Sequence, residues 1–340
     1  MTDPKNTKIS PFLFELSGEH PTLPYAEALA CVEAECQVHD LLSVGPGYGI
    51  FRFDPDNAPN IKKRIALTHR LGRYLGACDY PDLEEFLSSL ELPEGSVSIR
   101  AKKVERYQPE IDVPAMVRKC GGILTKGRVV DLDRPDIPIR VLLSDRLHFY
   151  IGDFEVDRKQ FDVRKVGERP FFSPISLHPR YARTLVNLTR VRPGQTILDP
   201  FCGTGGILLE ASMIGAKVLG SDIAEGMVVG CVANLNHFHA HFERIDVSDI
   251  GDIASVFGKV DAVATDPPYG RSASLWNEGK SSLYGRAMDA FVDTVRSGGR
   301  VGVVFPGPLD HLRDELDLTE SHIQRVHRSL SRNYFFFTRK

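Results

Sequence analysis

The chain lacks the features that would assign it to an oxidising compartment, a membrane or a metal. Its six cysteines, Cys31, Cys36, Cys78, Cys120, Cys202 and Cys231, form no Cys-x-x-Cys pair and have no histidine at a zinc-binding spacing. Reduced, buried thiols and no metal centre are expected. No run of about eighteen apolar residues is present to span a bilayer. Met1-Thr-Asp-Pro-Lys is followed by neither a basic nor an apolar leader segment, so a cytoplasmic location is expected. Internal repeats and low-complexity stretches are missing too. Charge of one sign is not in excess, since the net charge is −3. A uniformly basic nucleic-acid binder is excluded, but a local basic patch is not.

What is there is an ordinary globular composition, 42% hydrophobic and 26% charged, over 340 residues. That length exceeds one core and predicts two or three domains. Charge is unevenly spread: residues 61–130 carry thirteen Lys/Arg against nine Asp/Glu, whereas residues 1–60 carry three against nine. Lys62, Lys63, Arg70 and Arg73 lie at spacings that fit one helix face, and Lys126 and Arg128 add a second cluster. A basic segment in a mildly acidic chain is a candidate footprint for phosphate backbone.

Chemistry concentrates in the carboxyl-terminal half. Asp266-Pro267-Pro268-Tyr269 follows the apolar run Val260 to Thr265 and places acceptors and an aromatic wall at a strand end. Consecutive prolines fix φ and remove two N–H donors, so carbonyls and a carboxylate face a ligand. An exocyclic amine on a base suits such a pocket, because holding both its hydrogens localises the lone pair, while Tyr269 offers a stacking face. Upstream, Thr196-Ile-Leu-Asp199-Pro-Phe201-Cys-Gly203-Thr-Gly205-Gly206 reads as a strand, a glycine-rich turn and a helix start. The dinucleotide fingerprint G-x-G-x-x-G is broken here, and Asp199 would repel a pyrophosphate. Beside a cationic ligand the same carboxylate is favourable, and the ammonium and sulfonium of S-adenosylmethionine meet that need. Asp222, with Ile223 after it, stands about twenty residues beyond the turn, where ribose diols are gripped. Asp246, in Arg244-Ile-Asp-Val247, either accepts from an adenine amino group or caps the next helix.

These stretches resemble the Rossmann-like, S-adenosylmethionine-dependent methyltransferases that modify exocyclic amines. More narrowly, Asp266-Pro-Pro-Tyr-Gly-Arg271-Ser272, the opening Phe14-Glu-Leu-Ser-Gly-Glu-His-Pro and His178-Pro-Arg-Tyr-Ala-Arg resemble the archaeal tRNA (guanosine-10-N2)-methyltransferase family, which carries a THUMP RNA-binding domain. The resemblance implies mono- or dimethylation of a tRNA guanosine. It implies tRNA as partner and, for some relatives, a small zinc-binding activator protein. Asp266, Pro267, Pro268 and Tyr269 would be catalytic. Asp199, Phe201, Gly203, Gly205, Asp222, Ile223, Asp246 and Val247 would hold the cofactor, and Lys62, Lys63, Arg70, Arg73, Lys126 and Arg128 would meet RNA. The same amine motif also serves N6-adenine methylation of DNA or RNA, or N2-methylation at another tRNA position, and those alternatives stand at this point.

The expected fold is α/β: a class I methyltransferase domain with a mixed seven-stranded sheet, preceded by an α+β module. Expected boundaries are a ferredoxin-like subdomain at 1–60, a THUMP domain at 61–152, a linker at 153–174 and the catalytic domain at 175–340. Helices are predicted near Lys62 to Arg73, over Leu177 to Arg190 and after Pro308. A hairpin, Ile323 to His327 with Asn333 to Thr338, is predicted to close the sheet with an antiparallel edge.

Overall fold

A computed structural model describes residues 9–173, 176–269, 280–328 and 330–340. The chain divides into two compact units. Unit 1 comprises Met1–Ala28, Glu35–Lys63 and Leu67–Asp157, and unit 2 comprises Leu29–Ala34, Arg64–Ala66 and Arg158–Lys340.

Unit 1 holds strands β1 (Ser10–Leu16), β2 (His39–Gly45), β3 (Tyr48–Phe53), β4 (Thr68–Cys78), β5 (Val97–Lys103), β6 (Ile137–Leu143) and β7 (Leu147–Glu155), in the order β2-β3-β1-β4-β7-β6-β5. Only β5 and β6 run parallel. Helices α1 (Leu23–Glu35), α2 (Ala58–Arg64), α3 (Leu83–Ser89) and α4 (Val113–Leu124) accompany the sheet. Helix α4 starts as its sequence signals, with Asp112 accepting from the Ala115 amide at 3.2 Å and Pro114 in the first turn. Its Met116, Cys120 and Leu124 pack on Ile139, Val141, Phe149 and Ile151 of the sheet.

Strand β1 pairs with β4, so residues from both 1–60 and 61–152 contribute to one sheet. One expectation for this half is corrected. The helix expected over Lys62 to Arg73 ends at Arg64, and Arg70 and Arg73 sit on β4. Strand packing overrides the helix-like spacing there. A Cβ at Gly72 would fall 1.8 Å from the Ile151 carbonyl, so β4 is pressed closely against β7.

Unit 2 contains the Rossmann-like arrangement. Helix α5 (Pro179–Leu188) precedes β8 (Thr196–Asp199), α6 (Gly206–Met213), β9 (Lys217–Asp222), α7 (Glu225–His237), β10 (Arg244–Val247), α8 (Ile253–Phe257), β11 (Val260–Thr265), α9 (Lys280–Thr294), β12 (Val295–Phe305), β13 (Leu316–His327) and β14 (Leu330–Arg339). The sheet order is β10-β9-β8-β11-β12-β14-β13. The first five strands run parallel and β14 lies antiparallel to β12, which is the expected mixed sheet with its hairpin edge. Every residue of β11 except Asp261 is buried, as suits a central parallel strand covered on both faces.

The stretch expected as a linker carries ordered structure. Asp153 to Glu155 finish β7, and residues 158–168 form short 3₁₀ turns tied into unit 2. The polar composition misled because its charge is buried: Arg164 donates from Nε to Glu210 at 2.7 Å, and Arg183 reaches the same carboxylate at 2.8 Å. No helix follows Pro308. Instead Arg313 donates to the Gly285 carbonyl and to Asp289, both at 3.0 Å, and these contacts hold an irregular segment.

Candidate active site

Both motifs emerge at the carboxyl ends of adjacent parallel strands, where open α/β sheets bind ligands. β8 ends at Asp199 and β11 at Thr265, and Thr265 Oγ1 donates to Asp199 Oδ1 at 2.6 Å, joining the two. Asp199 also accepts from the Phe201 amide at 3.1 Å. It is 1% exposed. Burial, with the nearby Asp222 adding to it, pushes its pKa up to about 7. A buried carboxylate held by neutral donors alone favours a cationic ligand.

The glycine-rich turn has the backbone freedom its sequence requires. Gly203 and Gly205 take φ of +49° and +77°, and a Cβ on Gly205 would sit 2.7 Å from Cys231 Sγ. Gly205 therefore shapes the turn from behind and does not line the cavity, unlike Gly203. At the end of β9, Asp222 accepts from the Gly203 amide through Oδ2 and the Ala224 amide through Oδ1, both at 3.0 Å. Burial raises its pKa as well. Each oxygen keeps a further lone pair for a diol.

Asp266 and Pro267 to Tyr269 form the facing wall. Desolvation pushes the Asp266 pKa up to about 8, against the pull of Arg332. The Tyr269 hydroxyl donates to Asp266 Oδ1, a contact that the stacking role did not anticipate. Tyr284 of α9 donates to the Pro268 carbonyl at 2.9 Å. Among the described residues no donor engages the Pro267 carbonyl. Gly270, Arg271 and Ser272 of the motif lie outside the described residues.

Between the two walls is a cavity of about 380 Å³, within the range for small-molecule sites. It brings together Asp199, Phe201, Gly203, Asp222 and Ile223 with Asp266, Pro267, Pro268 and Tyr269. Ser173 and Ser176, in the segment before α5, line it as well. That segment is pinned from below, since Asn234 holds the Phe171 amide at 2.9 Å, the Phe171 carbonyl at 2.7 Å and the Thr204 carbonyl at 2.9 Å.

The structure does not bring Asp246 and Val247 to the cavity. Asp246 is paired with Arg244 at 2.6 Å, Val247 is largely exposed, and neither lines the cavity. Ser248, Asp249 and Ile250 do so instead, with Asp249 held by Arg286 of α9 and by the Gly251 amide at 2.9 Å. The short β10 ends at Val247, and the turn after it carries the lining residues. Asp249, Tyr284 and Arg286 had no local sequence signal beyond the polar identity of each.

The basic residues proposed for RNA do not share one surface element. Lys62 and Lys63 are on α2, Arg70 and Arg73 on β4, and Lys126 and Arg128 in the turn after α4. Arg70 is paired with Glu155 at 2.6 Å. Arg128 donates to the carbonyls of Pro93 at 2.5 Å and Leu92 at 3.0 Å, so it holds a loop. Lys63, Arg73 and Lys126 are exposed, and Lys62 is half-buried.

Comparison with known proteins agrees with this geometry. Residues 166–333 match the UPF0020 family, an RMKL-like methyltransferase domain. The chain is 38% identical over 346 residues to a tRNA (guanine(10)-N2)-dimethyltransferase of Pyrococcus abyssi, covering 96% of this chain and 98% of that one. It is 35% identical over 323 residues to the protein of the same name in Methanothermobacter thermautotrophicus, covering 93% and 96%. Among solved structures, TrmN of Thermus thermophilus superposes with a TM-score of 0.55 at 22% identity, covering 97% of this chain and all of that one, which shows the shared fold.

Proposed function

The chain belongs to the tRNA (guanine(10)-N2)-dimethyltransferase family, and from that premise we propose that Asp266, Pro267 and Tyr269 direct methyl transfer to N2 of guanosine-10 in tRNA. The enzyme is an S-adenosylmethionine-dependent tRNA guanine-N2-methyltransferase. The observation that carries the residue roles is one cavity shared by the Asp266-Pro-Pro-Tyr turn and the Asp199 and Asp222 carboxylates.

The residues fit the cofactor. Asp199 is a buried carboxylate without a cationic partner among the described residues and would take the ammonium end. Asp222 would accept from the ribose hydroxyls, and Phe201, Ile223 and Ile250 supply apolar walls for the adenine. S-adenosylmethionine supplies the electrophilic methyl group. Opposite it, Asp266 and the Pro267 carbonyl accept the two hydrogens of N2 and aim its lone pair. As N2 gains positive charge the carboxylate stabilises it most, which places the interaction in the transition state rather than the ground state. Asp266 then receives the released proton, for which a pKa of about 8 is suited.

Unit 1 is, on this reading, the RNA-binding THUMP module, and Lys62, Lys63, Arg73 and Lys126 are its candidate phosphate contacts. The compartment is the cytoplasm; no helix among the described residues is long and apolar enough to cross a membrane. Phe172 and Val229, both more than 60% exposed on unit 2, offer apolar surface to a small zinc-binding activator. The position is tested with tRNA transcripts in which guanosine-10 is replaced by adenosine with its pairing partner changed to match. Methyl incorporation should vanish, and retained incorporation would move the target elsewhere.

A further inference from the structure

The amine-binding turn suits guanine and adenine equally, so the choice of base must be made by another group. The sheet register indicates which. Ala264 and Thr265 of β11 lie beside Gly302 and Val303 of β12. Across β12, Gly302 faces Phe336, Val303 faces Phe335 and Val304 faces Tyr334 of β14. Extending the β11–β12 register by one residue sets Asp266 beside Val304, in the same cross-strand row as Tyr334. Side chains alternate along strands, so Arg332, two residues from Tyr334, shares the face of Asp266. Because β14 runs antiparallel, Arg332 stands one step further toward the sheet edge at which β8, β9 and β11 end, beside the cavity rather than among its lining residues.

Arg332 is 8% exposed, and its Nε is buried without a hydrogen-bond partner. No ion pair engages it among the described residues. A buried guanidinium left this way is unfavourable unless a ligand completes it. Its field reaches Asp266, whose pKa it lowers against burial.

We propose that Arg332 reads the 6-oxo group of the target guanine while Asp266 holds the 2-amino group, making Arg332 the residue that separates guanine from adenine. The two groups sit on one edge of the ring with N1 between them, so a carboxylate and a guanidinium on the same face of the sheet match acceptor and donor needs in turn. Adenine presents an amino donor at position 6, which Arg332 repels, and has no 2-amino group for Asp266. Arginine to guanine O6 is the commonest specific contact between a side chain and a base.

This inference rests on the guanine-N2 reading, and its test keeps the two apart. tRNA transcripts carry either guanosine or 2-aminopurine riboside at the target position; the analogue keeps the 2-amino group and lacks the 6-oxo group. The wild-type enzyme should prefer guanosine in kcat/KM by about 10- to 100-fold, the scale of one good base contact. Arg332→Met should lower the guanosine value toward that of 2-aminopurine and bring the ratio near one, with S-adenosylmethionine affinity unchanged by calorimetry. Arg332→Lys, which keeps the charge and a donor, should retain an intermediate ratio and carries the test if the Met variant does not fold. Equal falls on both substrates with the ratio preserved, or a wild-type enzyme indifferent to the 6-oxo group, would overturn the role of Arg332. A wild-type enzyme that methylates neither substrate would overturn the guanine-N2 reading itself.

Discussion

The pH dependence of methylation follows from the environment of Asp266. The ionised carboxylate is the form that accepts the N2 hydrogen, and desolvation holds its pKa at about 8 in the substrate-free protein. At pH 7 about one-tenth of the enzyme is ionised there, and at pH 9 about nine-tenths. Single-turnover kcat/KM on tRNA should therefore rise about tenfold between pH 7 and 9, with a log–log slope near one below pH 8 and a plateau above it. Asp266→Asn removes the titrating group and should give a flat profile at a rate lower by about a hundredfold, the usual weight of a preorganised charged acceptor. The stability change has the opposite sense. The folded pKa exceeds that of the unfolded carboxyl, so between roughly pH 4 and 8 the native state holds a proton the unfolded chain has lost, and stability falls as pH rises. Asp266→Asn should flatten that fall in thermal unfolding. A wild-type profile that stays level or declines from pH 7 to 9 would refute the assignment of Asp266 as the amine acceptor.

The remaining predictions concern the other walls and unit 1. Asp222→Ala should weaken S-adenosylmethionine binding by about 1.5–3 kcal/mol, the range for hydrogen bonds to a charged group; calorimetry showing unchanged affinity would contradict the ribose role. Because Tyr269 donates to Asp266, Tyr269→Phe should keep the plateau rate and shift the pH limb upward, whereas Tyr269→Ala should also lower the plateau by removing the stacking face. Equal damage from both changes at pH 9 would sink the stacking role. Replacing Lys63, Arg73 and Lys126 together by Ala should weaken tRNA binding and reduce its salt slope by about one for each phosphate that is no longer neutralised; an unchanged slope in filter binding would remove these residues from the interface.

Much of unit 2 is readable from the sequence because local signals and global packing agree. Apolar runs ending in Asp199, Asp222 and Asp266 mark parallel strands, and their carboxylates meet in one cavity. Asp246 breaks the pattern because β10 is short, and the sequence does not reveal which of two aspartates three residues apart faces inward. Asp249 does. Arg286 reaches the cavity, and Tyr284 reaches the Pro268 carbonyl, only through the packing of α9. No spacing rule links them to the motifs. Unit 1 is less readable. Arginines at helix-like intervals lie on a strand, where Gly72 admits a close neighbour that periodicity does not report. In the stretch expected as a linker, Arg164 reads as solvated in sequence but is buried against Glu210 from a distant helix.

This chain methylates N2 of a tRNA guanosine. Unmodified tRNA incubated with the protein and isotopically labelled S-adenosylmethionine, then digested to nucleosides and analysed by mass spectrometry, tests it directly. Label is expected in N2-methylguanosine and N2,N2-dimethylguanosine, and should be lost with Asp266→Ala. Label in N6-methyladenosine, or in any nucleoside with undiminished yield from the Asp266→Ala protein, would contradict it.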